Sequence, residues 1–288
     1  MISIKISSTN KETDKMNYET VNITPEIAEQ YIGSNCSNRK LNKKHVLFLS
    51  SEMKSGYWKE NGQSIVFDIN GNLIDGQHRL NAICHSGCTI KALVCTGAET
   101  SVMATIDNGR VRSRGDVLKI EGFSYSNVIS TASNILFRFD DGRLNHPKFE
   151  LSNSSCIQGA KQIHEALTVE WCGKWSDKIY KATGLNKTQS CAAIILMAIN
   201  YSKADVERFI GFVIDGGDYS KSPTISMPRI AAQKRSGNQK VYRYYYFLLF
   251  IRSFELWLDN KQMIVVQDKI LLESMPKLYK KYSSNINW

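Results

Sequence analysis

The segment Ser64-Ile-Val-Phe-Asp-Ile-Asn-Gly-Asn-Leu-Ile-Asp-Gly-Gln-His-Arg-Leu-Asn-Ala-Ile-Cys-His-Ser-Gly87 constrains this chain more than any other. Ile65, Val66 and Phe67 make a short apolar run, and Asn70-Gly71 tolerates the positive φ values of a type I′ hairpin turn. Asn72-Leu73-Ile74 reads as the returning strand. Asp75-Gly76 ends it, because glycine permits a sharp turn and an aspartate carboxylate can cap a helix start. From Gln77 onward Leu80, Ile83 and Cys84 share a helical face, and Gly87 stands where a left-handed residue closes a helix. The expected order is strand, turn, strand, turn, helix.

His78 and Arg79 fall in the first turn of that helix, where the macrodipole disfavours cations by about 0.3–1 kcal/mol. A bound anion would reverse the sign. Backbone N–H groups at a helix start bind phosphate, and arginine adds a planar fork of charge-assisted donors. The plainer alternative is that Arg79 pairs with a nearby carboxylate. The contiguity of Asp75, Gly76, Gln77, His78 and Arg79 favours the anion site.

These residues resemble the Asp-Gly-x-x-Arg signature of the ParB/sulfiredoxin-like superfamily, in its DGQHR form. Within it the chain is most similar to phage and mobile-element proteins. Asn38-Arg39, Met53 to Trp58, the central motif and Ile106-Asp107-Asn108-Gly109-Arg110 with Arg112 match that group's outline over about residues 30 to 122. The resemblance implies an α+β chain: a ParB/sulfiredoxin-like mixed α/β domain over 21–122, after a polar segment 1–20, and an all-α domain over 123–288. It also implies a nucleoside triphosphate, ATP or CTP, with Mg²⁺. Gly76, Gln77, His78 and Arg79 would then meet phosphate, and Arg39, Asp107, Arg110, Arg112 and Arg114 would complete the pocket. Asp75 would cap the turn or orient a metal-bound water, and His78 would move a proton or donate to phosphate. The implied activity is phosphoryl transfer, NTP hydrolysis or a nuclease reaction coupled to nucleic acid. The alternative is a non-catalytic DNA-binding or host-factor-binding protein, regulatory or anti-defence in role, that uses the fold as a scaffold. Whether the chain is an enzyme is left open.

The remainder reads more plainly. A formal charge of +10 suits acidic partners such as nucleic acid, and 42% hydrophobic residues in 288 suffice for a buried core. Seven cysteines, no charged-then-apolar leader and no bilayer-length apolar window predict a cytoplasmic protein with reduced thiols, in the host cell if phage-encoded. The expected partners are a nucleotide and DNA, with a homodimer admitted and no membrane. Cys84, His85, Cys88 and Cys95 have zinc-ligand chemistry, but Gly87 separates the two nearest thiols and no second tight pair follows, so no metal site is expected. Phosphate-loop, Gly-x-Ser-x-Gly and His-Glu-x-x-His motifs are missing from the sequence.

Thr24-Pro25-Glu26 starts a helix that Gly33 ends, and Leu41 to Lys54 reads as a second with Val46, Leu47, Leu49 and Met53 inward. Thr89 to Cys95 alternates as a strand beside the hairpin. Arg110, Arg112 and Arg114 then crowd one polar loop, either pairing with Asp107 and Asp116 or meeting phosphate. From Phe123 helix follows helix. Between Tyr219 and Phe254 stand Lys221, Arg229, Lys234, Arg235, Lys240, Arg243 and Arg252 with no acid, interleaved with Tyr242 and Tyr244 to Tyr246. Basic residues among aromatics suit nucleic acid, with Lys234, Arg235, Lys240 and Arg243 the candidate contacts. Equally, those tyrosines can close the core of a helix over Val241 to Leu258.

Overall fold

A computed structural model describes residues 16–35, 38, 40–99, 102, 112–145, 151–219, 222–236, 243–263 and 268–288. The chain is mixed α+β and divides into two compact units, Met1–Arg110 and Val111–Trp288. Among the described residues, no helix is long and apolar enough to cross a membrane.

The first unit is built on a four-stranded sheet of order β1-β4-β2-β3. β1 (Asn17–Ile23) pairs antiparallel with β4 (Ile90–Ala98), β4 runs parallel to β2 (Ser64–Asp68), and β2 pairs antiparallel with β3 (Leu73–Asp75). A parallel pair needs a crossover. Here β3 and α3 (Gln77–Ser86) supply it between β2 and β4. Along β2 successive side chains point to opposite faces. Ile65 and Phe67 accordingly join the main core, and Val66 joins a smaller cluster with Ile74, Cys95 and Ala98. The main core is closed by Ala28 of α1 (Pro25–Gly33), Val46 and Met53 of α2 (Lys43–Lys54), and Leu80 and Ile83 of α3.

Local signals explain most of these elements. Thr24 Oγ1 accepts from Ile27 N at 3.3 Å, so threonine capping and proline at the first position start α1. Gly87 closes α3 at φ 71°, and its N–H donates to Ile83 O. Three expectations need correction. Leu47 is 52% exposed, because the buried face of α2 is Val46, Ser50 and Met53. The hairpin turn is not type I′: of its central residues only Gly71 has positive φ. Asp68 N donates to Asn72 O, Gly71 N donates to Asp68 O, and Asp68 Oδ1 accepts from the N–H groups of Asn70 and Asn72, which is a three-residue loop. The third correction is β1, whose first residues fall in the segment read only as polar; its exposed edge shows too little apolar alternation to stand out.

The second unit is helical. It comprises α4 (Arg114–Ile120), α5 (Ser126–Asp140), α6 (Asn153–Leu167), α7 (Val169–Thr183), α8 (Lys187–Asn200), α9 (Lys203–Asp215), α10 (Pro223–Ser236), α11 (Tyr245–Leu258) and α12 (Asp268–Lys281). α8 is buried continuously from Ser190 to Ala198 and packs against α5, α7 and α11. A helix apolar all round belongs in the interior. The boundary falls at 110/111 rather than at 122, because α4 buries Leu118 in the helical core and packs on α5 and α6. α10 was not anticipated; Pro223, Pro228 and its polar last turn obscure the helical period.

Candidate functional site

The DGQHR junction lies where β3 meets α3. Gly76 is the N-cap of α3, at φ 103°. A Cβ there would sit 2.4 Å from Ile65 Cδ1, so both the backbone and the close approach to β2 require glycine. Asp75 does not cap the helix as expected, since α3 starts with no side-chain cap. Asp75 Oδ1 instead accepts from Gly76 N at 2.6 Å, and Oδ2 meets Arg79 Nη2 at 3.0 Å.

Arg79 is 9% exposed. Its Nη1 donates to Gln63 O at 2.7 Å and its Nη2 to Ser64 O at 2.7 Å as well as to Asp75. The guanidinium therefore ties α3 to the start of β2 and is neutralised from within. Of the two readings of Arg79, these contacts match the internal ion pair, with the carbonyls of Gln63 and Ser64 and the Asp75 carboxylate engaging the fork.

His78 is buried and its Nε2 accepts from Asn42 N at 3.0 Å. A backbone N–H can only donate, so that nitrogen carries no proton and cannot give one to phosphate. Asn42 is the N-cap of α2, its Oδ1 accepting from Lys44 N and His45 N. Gln77 Oε1 accepts from Asn35 Nδ2 at 3.4 Å, and Asn38 Nδ2 donates to Asn35 Oδ1 at 2.7 Å and to Leu73 O at 2.6 Å. The motif side chains thus fasten the α1–α2 connection to the sheet. The cation at a helix start is explained by Asp75 one turn away. Asn35 and Asn42 do not stand out in the sequence, and Asn38 does so only within the family outline, because their partners lie 35 to 42 residues along the chain.

No family model, curated protein or solved structure matches this chain.

Of the remaining expected residues, Arg39, Asp107, Arg110 and Lys240 lie outside the described residues, and of Arg235 only the backbone in α10 is described. Arg112 is exposed, and Arg114 Nη1 donates to Leu151 O at 2.8 Å inside the helical unit. Asp116 forms a capping box with Ser113 at the start of α4. Among the described residues, no group of three or more His, Cys, Asp or Glu is placed to hold a metal ion.

In the basic stretch Tyr244 and Tyr245 close the core, and Tyr242 lies outside the described residues. Tyr244 and Tyr245 are buried, so neither ring offers a face to a nucleic-acid base. Lys234 Nζ lies 5.6 Å from the Tyr245 ring centre, and the Arg243 guanidinium lies 5.4 Å from that of Tyr244. Arg229, Arg243 and Arg252 are exposed. The charge is unevenly divided between the units: Met1–Arg110 holds 12 basic and 11 acidic residues, and Val111–Trp288 holds 25 and 16, a net of +1 against +9.

Proposed function

We propose that the chain binds nucleic acid through the basic surface of its helical unit, and that its first unit is a ParB/sulfiredoxin-like scaffold whose DGQHR-type residues hold the fold. The observation that carries this reading is the charge division. Nearly all of the positive excess belongs to the helical unit, and no acid interrupts residues 219–254. Exposed Arg229 and Arg243, with half-buried Lys234, supply cations suited to phosphate. Burial of Tyr244 and Tyr245 directs the contact to the backbone rather than to bases, so binding depends little on sequence. A mobility-shift titration of a DNA duplex over a range of salt tests this. Affinity that falls steeply and linearly on a log–log plot is expected, and binding indifferent to salt would refute it.

A second reading is favoured by one feature, the uncapped first turn of α3. Its backbone N–H groups would receive the phosphates of ATP or CTP with Mg²⁺, and Arg79 would position the turn without touching the ligand. Phosphoryl transfer, NTP hydrolysis or a nuclease step would follow from that binding. Calorimetric titration with ATP, CTP and GTP plus Mg²⁺ tests it: heat saturating with one nucleotide supports this reading, and none with any of them ends it.

A further inference from the structure

A cavity of about 360 Å³ opens in the helical unit where α9 and α11 end. Three rings, Phe212, Tyr219 and Trp257, line it, together with Asp218 and Arg208. Both helices bring their C-terminal ends, and hence the negative end of each macrodipole. Asp218 is fixed between them: Oδ2 accepts from Trp257 Nε1 at 2.7 Å, and Oδ1 accepts from Thr224 Oγ1 at 2.9 Å and Tyr219 N at 3.1 Å. Desolvation works against its charge, but hydrogen bonds from Ser222, Trp257, Thr224 and the backbone outweigh it and hold the carboxyl below its ordinary range. Asp205, Glu207, Asp215 and Asp218 outnumber Lys203 and Arg208 along residues 201–219, an acidic region within a unit of net +9.

The indole face already accommodates a cation. The Arg208 guanidinium lies 5.1 Å from the centre of the Trp257 ring, and its Nη2 pairs with Asp205 Oδ1 at 3.0 Å on the surface. Aromatic faces beside a carboxylate attract guanidinium and ammonium groups through the ring quadrupole. We propose that this cavity binds a small organic cation, a guanidinium or ammonium compound, against Trp257 and Tyr219 with its charge toward Asp218. Arg208 then competes with the ligand, as a like charge beside the same ring. A neutral planar ligand such as a nucleoside would instead gain from Arg208 as a stacking partner, so the Arg208 variant separates the two by sign.

The test is titration of the full chain with agmatine, and in parallel with spermidine, followed by the indole N–H resonance of Trp257 assigned with Trp257→Phe. A saturable shift with either amine is expected. Arg208→Gln should tighten binding about threefold by removing an exposed competitor. Asp218→Asn should weaken it about tenfold, read only if the rest of the spectrum shows the fold intact. Should Asp218→Asn unfold, Arg208→Gln alone decides. A resonance unmoved by both amines, weaker binding in Arg208→Gln, or a shift caused by adenosine in place of the amines would overturn the proposal.

Discussion

The two units are held together in different ways. In Met1–Arg110 a small apolar core is locked by one polar junction, in which Asp75, Gln77, His78 and Arg79 reach Asn35, Asn42, Gln63 and Ser64. In Val111–Trp288 the core is large and aromatic, with Phe209 packed edge-on to Phe250 and Phe254, and the excess charge lies on that unit. The residues that look most like a motif make the contacts that tie the first unit together, and the excess positive charge sits in the half with no motif.

Arg79→Ala should break this contrast most visibly. It takes the Arg79 donors away from the Asp75 carboxylate and from the carbonyls of Gln63 and Ser64. Asp75 is 30% exposed and water screens part of the loss, so a cost of about 2–3 kcal/mol is expected, confined to the first unit. Hydrogen exchange read separately in β2–β4 and in α8 checks it. Equal loss of protection in both would mean that the units are not independent.

Gly76→Ala sharpens the same point with a smaller effect. Alanine at φ 103° is strained, and its methyl would press on Ile65, for about 2 kcal/mol. Urea unfolding measures it, and an unchanged midpoint would show that the β3–α3 turn can relax.

The helical unit should differ in its response to acid. Asp218, held below the ordinary aspartate value of 3.8, contributes stability that is fully present above that value. The contribution is lost as pH falls through the lowered value, because the folded carboxylate resists protonation and the unfolded one does not. Asp218→Asn should thus lower stability at neutral pH and flatten its decline below about pH 4. Identical acid-unfolding curves for the two proteins would contradict this.

Much of the fold was legible because its signals are local. Thr24-Pro25 and the glycine stop at Gly87 each announce an element within four residues. Hidden features were those decided across the chain. Nothing near Arg79 in sequence reveals that Gln63 O and Ser64 O meet its fork, and Asp75 reads equally well as a cap or as an ion-pair partner. The tyrosines of 244–246 have two readings for the same reason, and burial at α11 decides between them for Tyr244 and Tyr245. A cation in a first turn needs no external anion when its i−4 neighbour is an acid, as Asp75 is for Arg79.

The excess charge belongs to the helical unit, and the DGQHR side chains are engaged in contacts within the first unit. The most direct test is the salt dependence of duplex-DNA affinity in Arg79→Ala beside that of the triple variant Arg229→Ala, Lys234→Ala, Arg243→Ala. The triple variant should lose about 0.9 of slope for each phosphate contact removed. Arg79→Ala should keep the wild-type slope. The reverse result, with slope lost in Arg79→Ala and kept in the triple variant, would place anion binding at the junction and contradict the account.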